Sequence, residues 1–254
     1  MFFRKSISRP FKVNFLVAGT QKGGTTALDS HLRKHQSICM AQRKEVHFFD
    51  RDELFNNGVD YSSYHAFFEP KNSHKLIGES TPIYMYWREA PKRICEYNPE
   101  MKILIVLRNP IERAYSHWNM ERDRGKEHLT FWDAITNEEV RCHSESSKQH
   151  RIFSYVDRGF YAAQIKRIWQ YFPRKQTLFI KHDDLKNSPN KTLKTISAFL
   201  EIESFPHIEP HEIHSRPYIS SINSQEKLYL LEKFSEDIKV LEFMLGWDCS
   251  SWTQ

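Results

Sequence analysis

Residues 15–32 read FLVAGTQKGGTTALDSHL. The apolar residues Phe15 to Ala18 make a short buried strand that stops at Gly19, and Ala27, Leu28 and Leu32 then recur on one side of a helix expected over Thr25 to His35. Between strand and helix lies Gly19-Thr20-Gln21-Lys22-Gly23-Gly24-Thr25-Thr26. The backbone N–H groups of such a turn converge on one point, and the helix N-terminus adds partial positive charge, so the stretch reads as a phosphate cradle. Composition singles out the same place. Eight glycines in 254 residues is about 3%, against a usual share of roughly 7%, and Gly19, Gly23 and Gly24 fall within it. A chain that spares glycine but gathers it here needs close backbone approach here.

The turn matches both glycines and the final hydroxyl of the phosphate-loop pattern G-x-x-x-x-G-K-[ST], but Thr25 stands in its lysine position. The lysine of the turn is Lys22. In a nucleoside triphosphatase, a strand-end aspartate would hold magnesium. The strongest strand, Ile103 to Leu107, ends instead in Arg108, whose guanidinium binds an anion directly and disfavours a metal. Ser116, about two helical turns on, is placed to share a phosphate with Arg108. Asp183-Asp184 after a later strand leaves a magnesium-holding role open, with a loop-capping pair as the plainer reading.

Outward from these motifs, short apolar runs alternate with helical patterns. Leu76-Ile77 and Thr177 to Ile180 read as further strands. Asn109-Pro110 opens a helix through about Arg122, Ser188-Pro189 opens another, and Ser224 is expected to cap a last helix stopped at Gly246. Strands alternating with helices imply an α/β fold in one domain, with a parallel sheet covered on both faces. The irregular stretches 141–158 and 205–221 are candidate lids or binding loops.

Lys plus Arg is 37 and Asp plus Glu 32, a formal charge of +5. The excess is mild and spread along the chain, which suits an anionic ligand but not nucleic acid, for which a clustered basic stripe is expected. Cys39, Cys95, Cys142 and Cys249 lie far apart and point to neither a zinc site nor a disulfide framework. The basic N-terminal stretch MFFRKSISRPF has no apolar h-region, and no apolar run is long enough to span a bilayer. A cytoplasmic protein without membrane association is expected. His207, His211 and His214 do not form HExxH, and Pro206 and Pro210 break a helix there, so a polar loop is expected rather than a metal site.

Lys44-Glu45-Val46-His47-Phe48-Phe49-Asp50 is the remaining constellation. If extended, it puts Glu45 and His47 on one face, where carboxylate and imidazole form a candidate general-base pair. Taken alone, the stretch reads more simply as an exposed edge strand.

Together, strand-GTQKGGTT, KEVHFFD and ILIVLRNPIERAYS resemble the sulfotransferases that use 3′-phosphoadenosine 5′-phosphosulfate (PAPS), nearest to the heparan-sulfate-type domains and their bacterial relatives. The likeness runs from about Phe15 to Trp247 and includes a Gly159-Phe160-Tyr161 helix start. It implies a P-loop-like three-layer fold with a mainly parallel central sheet, over a core of about 13–247. By this resemblance Lys22, Gly23, Gly24, Thr25 and Thr26 surround the 5′-phosphosulfate, while Arg108 and Ser116 hold the 3′-phosphate. Glu45 matches the general base with His47 beside it, and Lys22 matches the lysine that steadies the departing phosphate. Ser215 and Arg216 fall, loosely, where the family closes a basic loop over the nucleotide. No metal is implied, and 3′-phosphoadenosine 5′-phosphate is the expected product.

The chain departs from the glycan-type pattern at Glu79-Ser80-Thr81-Pro82, where Ser80 replaces a lysine, and it lacks the cysteine pair of the secreted members. Both departures favour a small, less anionic hydroxyl or amine acceptor over a sulfated polysaccharide. A P-loop kinase or triphosphatase and a non-catalytic nucleotide- or polyanion-binding module are the alternatives.

Overall fold

The computed structural model describes residues 11–142, 149–207 and 221–253. In chain order the elements are β1 (Phe15–Gly19), α1 (Thr25–Arg33), β2 (Ile38–Met40), α2 (Ser62–His65), β3 (Leu76–Ser80), α3 (Ala90–Tyr97), β4 (Lys102–Leu107), α4 (Pro110–Asp123), α5 (Phe131–Thr136), α6 (Glu138–Cys142), α7 (Tyr161–Trp169), β5 (Thr177–Lys181), α8 (His182–Asn187), α9 (Pro189–Leu200) and α10 (Ser224–Leu245). The sheet runs in the order β2-β3-β1-β4-β5, and every pairing in it is parallel.

The unbroken apolar runs follow from burial on both faces of a parallel sheet. Because side chains alternate along a strand, Phe15, Val17, Leu104 and Val106 enter one core with Leu28, Leu32, Leu193 and Ile196. Leu16, Ala18, Ile103, Ile105 and Leu107 enter the other, with Ile94, Ile111, Ile165 and Phe234. Each such side chain contributes about 1.5–3 kcal/mol when fully buried. The expected three-layer P-loop-like α/β fold is the one observed.

Helix starts show where local chemistry was decisive. Asn109 caps α4 by accepting from the Ile111 N–H at 3.0 Å, with Pro110 in the first turn. The last helix begins one residue earlier in its capping than the sequence suggests. Asn223, not Ser224, is the cap, accepting from the Glu226 N–H while Glu226 returns a bond to the Asn223 N–H. That reciprocal pair satisfies two donors at once, which a lone serine does not. Gly246 ends the helix at φ 65°. The end of the 141–158 stretch, a candidate lid or binding loop, is largely packed inward: Gln149, Ser154, Tyr155 and Arg158 are all buried.

Parallel strands share one C-terminal edge, and the strand order reverses between β1 and β4. Crevices at such a reversal are where open α/β sheets bind ligands. The glycine turn leaves β1 there, Arg108 leaves β4 and His182 leaves β5. The turn is held against β4 by the Thr20 N–H, which donates to the Val106 carbonyl at 2.9 Å. A Cβ on Gly23 would lie 2.4 Å from that same carbonyl oxygen. Gly23→Ala is therefore expected to cost about 1–3 kcal/mol, read as a lowered denaturant midpoint. An unchanged midpoint would show that the turn is not held this tightly.

Candidate active site

The glycine turn ends at Gly24, the cap of α1, in the left-handed conformation at φ 100°. No acid lies in the first turn of α1, so its N–H groups face outward with their partial positive charge uncancelled. The His182 Nδ1–H donates to the Gly23 carbonyl at 3.0 Å, tying the β5 end to the turn. Burial and the nearby Arg108 charge hold the His182 imidazole below its ordinary pKa.

Arg108 donates from Nε and Nη2 to Glu112 Oε2 at 3.0 and 2.7 Å, and its carbonyl accepts from the Tyr161 hydroxyl at 2.8 Å. Ser116 is buried farther along α4. Arg113, which sequence reading passed over, is fully buried on the same helix, and its Nε and Nη1 have no partner among the described residues. Its remaining nitrogen, Nη2, donates to the Tyr155 carbonyl. Asp183 and Asp184 lie exposed in the first turn of α8, after β5, and Arg108 stands at the end of β4. Among the described residues, no group of three or more His, Cys, Asp or Glu side chains is placed to hold a metal.

The 44–50 segment is not the exposed edge strand that its alternation suggests. It is irregular backbone, and Val46, Phe48, Phe49 and Asp50 are all buried. Adjacent phenylalanines can both turn inward because the chain bends at left-handed residues on either side of Val46. Glu45 has φ 62° and His47 φ 56°. Lys22, at φ 69°, shares this conformation, and of the described non-glycine residues only Glu201, a helix cap, does so too. Such backbone costs about 1–3 kcal/mol per residue and gathers at functional sites. Here it coincides with all three residues for which the sequence suggested catalytic roles.

The side chains form a relay. Asp50 is fully buried, and its Oδ2 lies 3.0 Å from His47 Nδ1. His47 Nε2 then faces Glu45 Oε2 at 3.7 Å, while Lys44 Nζ donates to Glu45 Oε1 at 2.8 Å. Sequence reading missed Asp50, although it closes the quoted motif. Arg151 also donates to the Asp50 carboxylate and backbone carbonyl and stacks over Trp87 at 4.5 Å. Burial alone would lower the His47 pKa, but its bonds to Asp50 and Glu45 outweigh that and raise it to about 9. The hydrogen bond from His47, opposed by burial and aided by Lys44, lowers Glu45 to about 2. Between those limits the pair is imidazolium and carboxylate.

Glu45 and His47 line a cleft of about 450 Å³ with Gln21, Pro82, Ile83 and Arg151. The cleft thus begins beside the glycine turn at the end of β1. Gln21, next to Lys22 in the turn, lines the same cleft as the relay, whereas Lys22, Arg108 and Ser116 are not among the described residues that line it. The side chain of Ser80, where the glycan-type pattern has lysine, is buried and its hydroxyl has no partner among the described residues. Ser215, Arg216, His211 and His214 lie outside the described residues. His207 is exposed.

The sulfotransferase domain family matches residues 12–228. The chain belongs to that family. It is 28% identical over 202 residues to the human heparan sulfate glucosamine 3-O-sulfotransferase 5, covering 78% of this chain and 56% of the relative. It is 32% identical over 203 residues to the human bifunctional heparan sulfate N-deacetylase/N-sulfotransferase 3, covering 76% of this chain and 22% of the relative. The chain therefore corresponds to just over half of the first and under a quarter of the second. The crystal structure of a sulfotransferase from Alicyclobacillus acidocaldarius superposes with a TM-score of 0.82 at 26% identity, covering 96% of this chain and all of that one. The fold, the glycine turn and the family thus agree, and the family implies PAPS as donor.

Asp50→Asn is expected to lower the His47 titration midpoint by about one unit or more, because the buried anion that favours the imidazolium is gone. NMR of the imidazole carbons measures it, and an unshifted midpoint would remove Asp50 from the relay.

Proposed function

We propose that this domain moves a sulfuryl group from PAPS to a hydroxyl or amine of a small-molecule acceptor. The observation that carries the reading is the sharing of one cleft by the Glu45–His47 pair and the glycine turn. Sulfuryl transfer needs in-line placement of nucleophile and leaving group, a base for the acceptor proton and positive charge at the leaving phosphate.

In the proposed step, the acceptor hydroxyl gives its proton to the Glu45 carboxylate as its oxygen attacks sulfur. The bond between sulfur and the bridging oxygen of the 5′-phosphate breaks, and the electron pair leaves with 3′-phosphoadenosine 5′-phosphate. Lys22 and the N–H groups of Gly23, Gly24, Thr25 and Thr26 take up the charge. Arg108 and Ser116 hold the 3′-phosphate, and the partnerless Arg113 donors on the same helix favour an anion nearby. Glu45 is a carboxylate at any working pH. An acceptor that replaces the His47 contact removes the main cause of its low pKa and restores basicity as the complex forms. His47, kept cationic by Asp50, balances the carboxylate. Ser215 and Arg216 are proposed to close over the nucleotide.

A small acceptor is favoured by the cleft volume of about 450 Å³, within the ordinary range for small-molecule sites, and by Ser80 where the glycan-type pattern has a lysine. The two human relatives are named for heparan sulfate, and that substrate is not carried over. Among the described residues no helix is long and apolar enough to cross a membrane. A cytoplasmic single-domain enzyme, binding neither nucleic acid nor membrane and using no metal, completes the proposal.

Ligand-induced thermal shift tests the donor. At 100 times its Kd, 3′-phosphoadenosine 5′-phosphate should stabilise the fold by about 2.7 kcal/mol without magnesium, and ATP should do much less. Equal stabilisation by both, or a magnesium requirement, would favour a kinase or triphosphatase. In Arg108→Ala the preference for the 3′-phosphorylated nucleotide over adenosine 5′-phosphate should fall. A retained preference would free Arg108 of that role.

A further inference from the structure

Several acids outside the relay are buried, and among the described ones Glu79 is the most enclosed. Glu79, at the C-terminal end of β3, has no exposed surface. Its Oε1 accepts from the hydroxyls of Tyr64 and Tyr84, each at 2.9 Å, and its Oε2 accepts from Thr81 Oγ1 at 2.5 Å. Burial, offset by these three donors, pushes its pKa up to about 7. Three hydroxyl donors around two oxygens satisfy a carboxylate within a core that would otherwise exclude it.

The two tyrosines differ in one respect. The Tyr84 oxygen also accepts from the Phe48 N–H at 2.9 Å, with the Phe49 N–H at 3.5 Å. A phenol has one proton, so a hydroxyl that accepts from the backbone at 48 and lies 2.9 Å from a carboxylate directs that proton to Glu79. The direction of each bond is thereby fixed, from Phe48 N–H to Tyr84 to Glu79. One residue along β3, the Ser80 carbonyl accepts from the Glu45 N–H at 2.8 Å. The left-handed segment from Glu45 to Phe48 is held at both ends by residues 79–84, and His47 lies inside it. Tyr64 stacks on the Phe48 ring at 4.8 Å but bonds no backbone group of the segment.

We propose that Glu79 is a positioning residue that acts through the Tyr84 hydroxyl to hold His47 against Asp50 and Glu45. Backbone that costs energy at Glu45 and His47 persists only where its surroundings over-determine it, and this chain of bonds supplies that constraint at Phe48. Glu45 and Asp50 bond His47, Lys44 and Arg151 bond those two carboxylates, and Arg51, Glu53, Glu121, Arg124 and Lys126 line the same cleft. Neither Glu79 nor Tyr84 needs to touch donor or acceptor.

The test is the His47 titration midpoint, read by NMR on the whole chain without ligand, with the resonance assigned from His47→Gln. Tyr84→Phe and Glu79→Met should each lower the midpoint by about one unit or more, a tenfold change in proton affinity. The double variant should go no lower than the lower single one. Glu79→Gln keeps a carbonyl acceptor and should restore most of the shift. Tyr64→Phe, which removes an equal bond to Glu79 but none to the segment, should leave the midpoint in place. Equal shifts in Tyr64→Phe and Tyr84→Phe would make the network merely structural, and no shift in Tyr84→Phe would overturn the proposal. Tyr84→Phe removes a single oxygen and keeps the test available if Glu79→Met fails to fold. Stabilisation by 3′-phosphoadenosine 5′-phosphate should persist in all of these variants. Its absence from the wild type would instead count against the donor assignment, which the His47 readout does not depend on.

Discussion

The backbone approach between the glycine turn and β4 is the constraint from which the rest follows. With Gly23 lacking a side chain, the turn lies against the Val106 carbonyl, and α1 begins at once from Gly24. Any larger residue at Gly23 would push the turn off the strand. Because the approach occurs where the strand order reverses, the first N–H groups of α1, Arg108 at the end of β4 and His182 at the end of β5 are gathered at one edge of the sheet. The parallel sheet therefore does more than provide a core. It brings residues far apart in sequence to one crevice, without needing a long side chain to reach across.

Opposed charges organise the other half of the site. A buried anion, Asp50, makes His47 cationic, and the imidazolium in turn keeps Glu45 ionised. The pair is strongly polarised, with Lys44 bonded to Glu45 and Arg151 to Asp50. Strained backbone at Glu45 and His47 is the cost of putting two polar groups on a cleft while Val46, Phe48 and Phe49 remain in the core. Hydrogen bonds from the segment to Ser80, the last residue of β3, and to Tyr84 beyond it offset that cost. Active-site geometry and core packing are thus set by the same few bonds.

The architecture was largely legible in the sequence because the determinants were local. Unbroken apolar runs such as Ile103 to Leu107 announce strands covered on both faces, and glycines, prolines and caps mark where helices begin and end. The sequence also brought Lys22, Glu45 and His47 forward as candidate site residues, and all three adopt left-handed backbone. What stayed hidden depended on partners distant in the chain. The 44–50 stretch alternates like an edge strand, and nothing local in it says that Tyr84 and Ser80 will bend it. Asp50 looks like the end of a motif until its burial beneath His47 is known. Arg113 and Glu79 each look like ordinary charged residues until the fold encloses them. Asn223 outcompetes Ser224 as a cap because Glu226 completes a reciprocal pair with it.

We propose that Glu45 takes the acceptor proton while other residues, of the glycine turn and α4, bind the donor. The most direct measurement is transfer of radiolabelled sulfate from PAPS across sugar, phenol and other hydroxyl or amine acceptors, with wild type and Glu45→Gln run side by side and donor affinity measured for both. The account predicts labelled product from the wild type, and from Glu45→Gln a loss of about 100-fold or more in rate with donor affinity unchanged. Transfer undiminished in Glu45→Gln would contradict it.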